Sequence, residues 1–208
     1  MKDLVIYGAG GLGLEIETLV RELGQWNLLG FVDDGVPSRE NARVLGDGQW
    51  LYTSQRKLAV VIAVGSPAQK RVIAHRLQEA DHLSFPSLIH PAATIGNLAT
   101  VTLGRGCIVT AGARLTTHIQ VGEHVLVNLN ATIGHHCRLG AFSSIMPGVN
   151  LAGQVTIGQA VLIGSGANVL NGLAIGDNAS IGSSAVVTRS VPPGETWVGV
   201  PARQRQGL

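Results

Sequence analysis

LGRGCIVTAGARLTTHIQVGEHVLVNLNATIGHHCRLG, residues 103–140, opens a run that continues in the same manner to residue 187 and decides the fold. Every sixth residue is aliphatic: Leu103, Val109, Leu115, Val121, Val127, Ile133, Leu139, Ile145, Leu151, Ile157, Ile163, Val169, Ile175, Ile181 and Val187. The next residue is often Gly, as at Gly104, Gly122, Gly134 and Gly140. The residue two before is mostly small or β-branched, as at Cys107, Ala113 and Cys137. A period of six fits neither an amphipathic helix nor a lone strand. It is the period of a hexapeptide β-helix, in which each short strand forms one side of a coil and the coils stack. One aliphatic side chain per repeat points inward, and burying each is worth roughly 1.5–3 kcal/mol. The small residue fills the space beside it, and the glycine is expected to form the corner.

The repeat resembles the [LIV]-G-x-x-[small]-x hexapeptide of the left-handed β-helix acyltransferases, an exception to the right-handed rule for parallel crossovers. That resemblance implies three hexapeptides per coil, so that residues eighteen apart stack at about one strand spacing, ~4.8 Å.

Composition agrees with the repeat. Charged residues make up 13% of the 208-residue chain and aromatics 4%, with 28 glycines. Such a chain has room for one or two domains. The net charge of +2 comes without a basic run, which argues against a nucleic-acid partner. No apolar stretch is long enough to span a membrane, and Met1-Lys2-Asp3 leads into a strand rather than a signal peptide. Cys107 and Cys137 both fall on the inward small position, so they read as buried thiols rather than a disulfide or nucleophile, and the chain reads as cytoplasmic.

Ahead of the repeat, residues 3–7 read as a buried strand and residues 12–23 as a helix ended by Gly24. Strands are expected at 28–32 and 58–64, an irregular stretch with a short strand near Val44 at 35–57, a helix at about 67–80 and a strand near 85–89. This is a small parallel-sheet nucleotide-binding unit. His90-Pro91 marks the boundary, giving an α/β Rossmann-like domain over 1–88 and an all-β left-handed parallel β-helix over 89–208. Ile89 and Ile95 already step by six, but Leu103 lies eight beyond Ile95, which predicts a two-residue insertion in the first coil.

Gly8-x-Gly10-x-x-Gly13 follows a strand and opens a helix, where backbone N–H groups can hold a diphosphate. Asp33, twenty residues beyond Gly13, could accept hydrogen bonds from a ribose or base. Alone, the loop is compatible with NAD, with a single nucleotide-linked ligand or with a structural turn. The chain offers only half of a dinucleotide fold, which suits one nucleotide.

Joined to the β-helix, these parts resemble the PglD/NeuD-type sugar acetyltransferases. Gly8-Ala9-Gly10-Gly11-Leu12-Gly13 matches that family's G-[AS]-[SG]-G-H-G motif except at Leu12, where the family has His. Phe31-Val32-Asp33-Asp34 and Ala63-Val64-Gly65 match two further motifs, and Val198-Gly199-Val200-Pro201-Ala202-Arg203 matches the ending. The resemblance implies an acetyl-CoA-dependent enzyme acting on the 4-amino group of a nucleotide-linked sugar or on a hydroxyl of sialic acid. It implies a homotrimer with sites between subunits and no metal. Gly10, Gly11, Leu12, Asp33, Asp34 and Gly65 would line the nucleotide-sugar site, and Ser144, Gly153, Ser165 and Ser183 the acetyl-CoA groove.

Ile133-Gly134-His135-His136-Cys137 carries the chemistry. Ile133 and Cys137 point inward, so His135 and His136 reach outward near a corner, with His118 one coil away in the column of His136. A neutral imidazole suits removal of a proton as an amine or hydroxyl attacks a thioester. The family motif I-x-H-[ED]-C implies His135 as the base, with His136 standing where the family has an acid. Glu123 is the expected compensating carboxylate by repeat geometry. Two readings outside the class remain: a zinc site built from His118, His124, His135 and His136 in the manner of β-helix carbonic anhydrases, and a non-catalytic nucleotide-sugar-binding scaffold.

Overall fold

The computed structural model describes residues 1–35 and 43–205, so part of the expected irregular stretch at 35–57 and the last three positions lie outside the described residues. The N-terminal elements are β1 (Lys2–Tyr7), α1 (Gly11–Leu23), β2 (Trp26–Val32), β3 (Val44–Gly46), α2 (Gly48–Thr53), β4 (Leu58–Ile62), α3 (Pro67–Leu77) and β5 (Leu83–Ser84). The strands form one parallel sheet in the order β3-β2-β1-β4-β5. Because side chains alternate across a strand, Leu4 and Ile6 of β1 pack with Ile16, Leu19 and Val20 of α1. Val5 and Tyr7 face the other layer, with Leu51 of α2 and Ala74 and Leu77 of α3. Gly24 ends α1 at φ 62°, as expected, and its N–H donates to the Arg21 carbonyl at 3.2 Å.

Helix α2 was not expected. Its six residues are too few to establish a helical period, and only Gly48 and Leu51 are buried. Its one local signal is Asp47, whose side chain accepts from the Gln49 N–H at 2.9 Å as an N-cap.

From Leu88 the chain winds into a parallel β-helix with three faces. The first holds the strands Leu88–Ile89, Ile108–Val109, Leu126–Val127, Ser144–Ile145, Leu162–Ile163 and Ser180–Ile181. The second holds Thr94–Ile95, Arg114–Leu115, Thr132–Ile133, Asn150–Leu151, Asn168–Val169 and Val186–Val187. The third holds Val101–Leu103, Ile119–Val121, Arg138–Leu139, Thr156–Ile157 and Ala174–Ile175. Register is eighteen residues per coil, with Leu115 opposite Ile133 and Ile133 opposite Leu151. In the first coil Ile95 lies opposite Leu115 and Leu103 opposite Val121, so the two extra residues sit between Ile95 and Leu103. Ile133, Ile145 and Ile163 and the small residues Cys107, Ala131 and Cys137 are fully buried, and both thiols are free. The open end is closed by Trp197, in a strand that pairs with Ile181 and turns back antiparallel at Arg203–Gln204.

The expected role of the repeat glycines is corrected. Gly134 does not adopt a left-handed backbone. It is small because a Cβ there would stand 2.7 Å from the Ala152 carbonyl carbon of the next coil. The left-handed corner falls three residues after the inward aliphatic, at His118, His124, Asn130, His136 and Phe142 as well as at Gly106 and Gly112. Asn and His tolerate that region better than most side chains.

The N-terminal unit covers the first face. Leu88, Ile108 and Leu126 join the cluster that includes Leu4, Ile16 and Phe31, while Phe142 and Ala160 join the cluster of Val5, Tyr7 and Leu77.

Candidate active site

The edge between the second and third faces carries the exposed histidines. His135 and His136 leave the strand Thr132–Ile133 and precede the inward Cys137. Backbone bonds hold the corner: the His136 N–H donates to the Thr117 carbonyl at 3.1 Å, and the Gln154 N–H to the His135 carbonyl at 2.7 Å. The two imidazoles meet edge to face at 83°, with Nδ1 of His135 3.1 Å from Nδ1 of His136. His118 lies parallel to His136, ring centres 4.7 Å apart, in the column that the repeat assigned to it. Nδ1 of His118 is 2.9 Å from the Thr117 hydroxyl, which is 2.9 Å from the Thr100 hydroxyl. The His135 ring rests over Gly153, where any Cβ would approach it to 2.5 Å. A cavity of about 460 Å³ beside this edge is lined by Ala99, Thr100, Thr102, His118, Gln120, His136 and Arg138.

A second cavity, about 580 Å³, lies beyond the C-terminal ends of β1, β2 and β4 and is lined by residues that include Tyr7, Gly8, Asp33, Asp34, Val64, Gln69 and Val72. Gly8, at φ 109°, has no room for a side chain, since a Cβ would stand 2.7 Å from the Ala63 carbonyl oxygen. A Cβ on Gly13 would collide with the Gly8 carbonyl. Gly10, Gly11 and Gly65, by contrast, have open space where a side chain would start, so the chain's own packing does not require them to be small.

Asp33 accepts from the Ala9 N–H at 2.7 Å through one oxygen and from the Gly35 N–H at 2.9 Å through the other. It ties the glycine loop to the end of β2. Asp34 accepts from the Tyr7 hydroxyl and from Arg76, both at 2.8 Å, and from the Gly48 N–H at 2.8 Å. Partial burial opposes ionisation of Asp34, but the bonds from Arg76, Gly48 and Tyr7 outweigh it and hold the carboxyl below its usual value. Burial, followed by the bond to Asp34, pushes the Tyr7 phenol well above its usual value. Both aspartates therefore shape the cavity wall while their oxygens are already engaged.

Several expected site residues fall elsewhere. Leu12 is half-buried against the cluster of Leu4, Ile16 and Phe31, and neither it nor Gly10, Gly11 or Gly65 is among the residues that line the cavity, whereas Asp33 and Asp34 are. Ser144 is fully buried under α3, where its Oγ accepts from Lys70 Nζ at 3.0 Å. It has no outward surface for a co-substrate, because the N-terminal unit covers that face. Ser165 and Ser183 are exposed on the edge between the first and second faces, apart from His135 and Gly153 within one chain. Glu123 lies on the edge between the third and first faces and pairs with Arg105 at 2.8 Å, so it does not support His135. His124 shares that other edge, buried between Phe85 and Phe142, which separates it from the proposed zinc set. Among the described residues no cluster of His, Cys, Asp and Glu is arranged to hold a metal ion.

Lys70 was missed. It is 2% exposed, its Nζ donates to the Ser143 carbonyl at 3.2 Å and to Ser144, and burial pulls it from 10.5 to about 7. A lysine on a helix reads as a solvated face from sequence. Only the apolar outward residues of the first face, Ile108 and Leu126, could have signalled that something covers it.

Residues 3–77 match the family model of the PglD N-terminal domain, and residues 154–189 match that of the bacterial transferase hexapeptide, six repeats. The acetyltransferase domain of PglB from Neisseria gonorrhoeae FA1090 is 31% identical, with a TM-score of 0.92 over 99% of this chain and 100% of that one. The same domain was also solved with acetyl coenzyme A. PerB from Caulobacter crescentus, solved with CoA and GDP-perosamine, is 29% identical with a TM-score of 0.88 over 99% of this chain and 98% of that one. WeeI from Acinetobacter baumannii AYE is 27% identical with a TM-score of 0.88 over 99% of this chain and 100% of that one. No curated protein sequence matches the chain.

The parallel sheets and the repeat fit a left-handed β-helix with an N-terminal domain, and the class is that of the hexapeptide-repeat transferases. Within it, the chain belongs to the family of PglD-type sugar acetyltransferases.

Proposed function

We propose that this protein transfers acetyl from acetyl-CoA to the amino group of a nucleotide-linked 4-amino-deoxysugar, with His135 as general base. The carrying observation is a single outward edge on which an imidazole lies over an obligatory glycine, in a chain matched end to end by structures holding acetyl-CoA or CoA with GDP-perosamine. In the Caulobacter enzyme, variants with one histidine replaced by Asn or Ala were also solved with both ligands.

The amine nitrogen attacks the thioester carbonyl carbon directly. The N–C bond forms as Nε2 of His135 takes a proton from nitrogen; the C–S bond then breaks, and CoA leaves as a thiolate that the imidazolium reprotonates. No acyl-enzyme intermediate is involved. The division into residues 1–88 and 89–208 assigns the nucleotide to the first part. Its sheet order β3-β2-β1-β4-β5 supports reading it as a Rossmann-like mononucleotide unit, with the cavity beside β1 and β4. The two cavities have no lining residue in common. Helix α3 docks on the edge of Phe142 and Asn178, whereas His135 lies on another edge. A homotrimer in which one subunit's nucleotide cavity meets the neighbour's imidazole joins them, with acetyl-CoA in the groove past Gly153 and, from the adjoining copy, Ser165 and Ser183. The cytoplasm is the compartment that supplies acetyl-CoA.

The test is thiol release from acetyl-CoA across GDP-, UDP- and dTDP-linked 4-amino sugars and free sialic acid. One amino sugar is expected to turn over, with His135→Ala reducing kcat by about 10²–10⁴-fold, the usual worth of a general base. Turnover of sialic acid alone would move the reaction to O-acetylation. Sugar binding without thiol release would leave only a scaffold.

A further inference from the structure

Position 136 stands next to the base, and the proposed reading gives it no role of its own. A base that takes a proton at Nε2 must carry its own proton on Nδ1. Water-exposed neutral histidine favours the opposite tautomer, so a base needs an acceptor at Nδ1. In this chain the only hydrogen-bond partner recorded for the His135 ring among the described residues is Nδ1 of His136, at 3.1 Å. One proton lies between these two nitrogens. With it on His135, Nε2 of His135 is free to act; with it on His136, the base is disabled.

The surroundings hold the His135–His136 pair in this geometry. The Thr100 hydroxyl donates to the Asn97 carbonyl at 3.2 Å, so the Thr117 hydroxyl donates to Thr100 and Nδ1–H of His118 donates to Thr117. His118 is thereby fixed in orientation, and its ring lies parallel to His136 at 5°. A neutral His136 has a lone pair to offer at Nδ1. His136 sits at the left-handed corner common to the repeats, φ 60°, with its Nδ1 toward that of His135.

We propose that His136 is a positioning residue that accepts the Nδ1 proton of His135 and so sets the tautomer of the base, with His118 as the platform that fixes its ring. This rests on His135 being the base. It assigns a neutral acceptor to the place where the family has a carboxylate.

The left-handed backbone makes a clean test possible. His136→Gly removes the acceptor at a position that glycine occupies without strain, while His136→Asn restores an acceptor oxygen on a side chain that tolerates the same region. With the full-length protein, kcat for thiol release is expected to fall about 10–100-fold in His136→Gly, a fraction of the whole worth of a general base. KM for both substrates should stay within a few-fold, and His136→Asn should recover most of the rate. Two-bond ¹H–¹⁵N correlations on histidine-labelled protein, assigned by loss of the His135 signal in His135→Ala, should find the His135 proton on Nδ1 in the parent and on Nε2 in His136→Gly. An unchanged tautomer, or a His136→Gly rate within threefold of the parent while His135→Ala loses about 10²–10⁴-fold, overturns the role of His136 alone. Full activity in His135→Ala overturns the reading beneath it.

Discussion

Two edges of the same prism carry histidines at the same corner position and treat them in opposite ways. On the edge between the second and third faces, His118 and His136 stand exposed, stacked on each other and bonded to a threonine and to His135. On the edge between the third and first faces, His124 is 3% exposed, sandwiched by Phe85 and Phe142, and its Nδ1 has no partner among the described residues. Backbone conformation does not separate them: φ is 53° at His118 and 53° at His124. What differs is the cover. Helix α3 and the segment of Phe85 lie over the second edge, and none of the described residues lies over the first. An imidazole that keeps water and a neighbour can move protons, whereas one sealed in an apolar seam becomes packing.

If that distinction holds, truncating each edge should be read by a different instrument. Phe142→Ala is expected to lower unfolding free energy by about 3–5 kcal/mol, the usual cost of removing a buried phenyl group, with turnover per folded molecule little changed. His135→Ala should do the reverse, lowering turnover about 10²–10⁴-fold while moving stability by no more than about 0.5 kcal/mol, as for an exposed site. Urea titrations beside thiol-release rates would check both. A large stability loss in His135→Ala would mean that the exposed edge is structural after all.

The second prediction concerns pH. Lys70 and His124 are both bases that burial holds below their usual values, at about 7 from 10.5 and about 4 from 6.5. Facing Lys70 are His124 and the Cys107 thiol, which burial pushes up and keeps neutral; Glu123 is held by Arg105. The unfolded chain therefore binds more protons than the folded one between pH 4 and 6.5 at His124 and between pH 7 and 10.5 at Lys70. Stability accordingly rises with pH across each window, by at most about 1.4 kcal/mol per unit for one proton. In Lys70→Met the slope above pH 7 should flatten, and in His124→Phe the slope below pH 6.5 should. Denaturant titrations at pH 5, 7 and 9 decide it, and equal slopes in parent and variant would mean that water reaches the seam.

How far the sequence spoke follows from the same contrast. Inward positions repeat, so Leu103 to Val187 could be assigned one by one, and the stacking of His118 over His136 followed by counting eighteen. Cover does not repeat. It comes from a separate unit docking on one face, and that is why Ser144 was expected at a groove and Glu123 beside His135. A signal was present in the outward residue of each strand: Ile108, Leu126 and Leu162 on the first face, against Arg114, Thr132, Asn150 and Asn168 on the second. Corner geometry was misassigned for a different reason. A glycine serves both close approach and left-handed backbone, and sequence cannot tell which is demanded until the next coil is in place, as Ala152 is over Gly134. Leu12 went astray because it stands in the first turn of α1, where the helix turns its side chain back against the core.

That outward signal yields the third prediction. Ile108→Thr or Leu126→Thr, on the covered face, should cost about 1–3 kcal/mol through lost apolar burial and a hydroxyl stranded in the seam. Thr132→Val, on the open face, loses its bond to Asn150 Oδ1 at 2.7 Å in full view of water and should stay within about 0.5 kcal/mol. Thermal melts would rank them, and a costly Thr132→Val would reveal that the second face is covered too, by another copy.

The smallest effect isolates the corner itself, away from either histidine edge. Ser184 is exposed, at φ 57°, on the edge between the first and second faces, and its N–H donates to the Ser165 carbonyl at 2.8 Å. An L residue in that region is strained by about 1–2 kcal/mol. Glycine removes the strain but costs about 0.5–1 kcal/mol in unfolded-chain entropy. Ser184→Gly should therefore stabilise by about 0.5 kcal/mol, read as a small upward shift of the denaturation midpoint with unchanged slope. The same substitution at His124 would add the loss of a ring held between two phenylalanines and come out destabilising. Gain at one corner and loss at the other, from identical backbones, would separate what the left-handed turn costs from what its cover contributes.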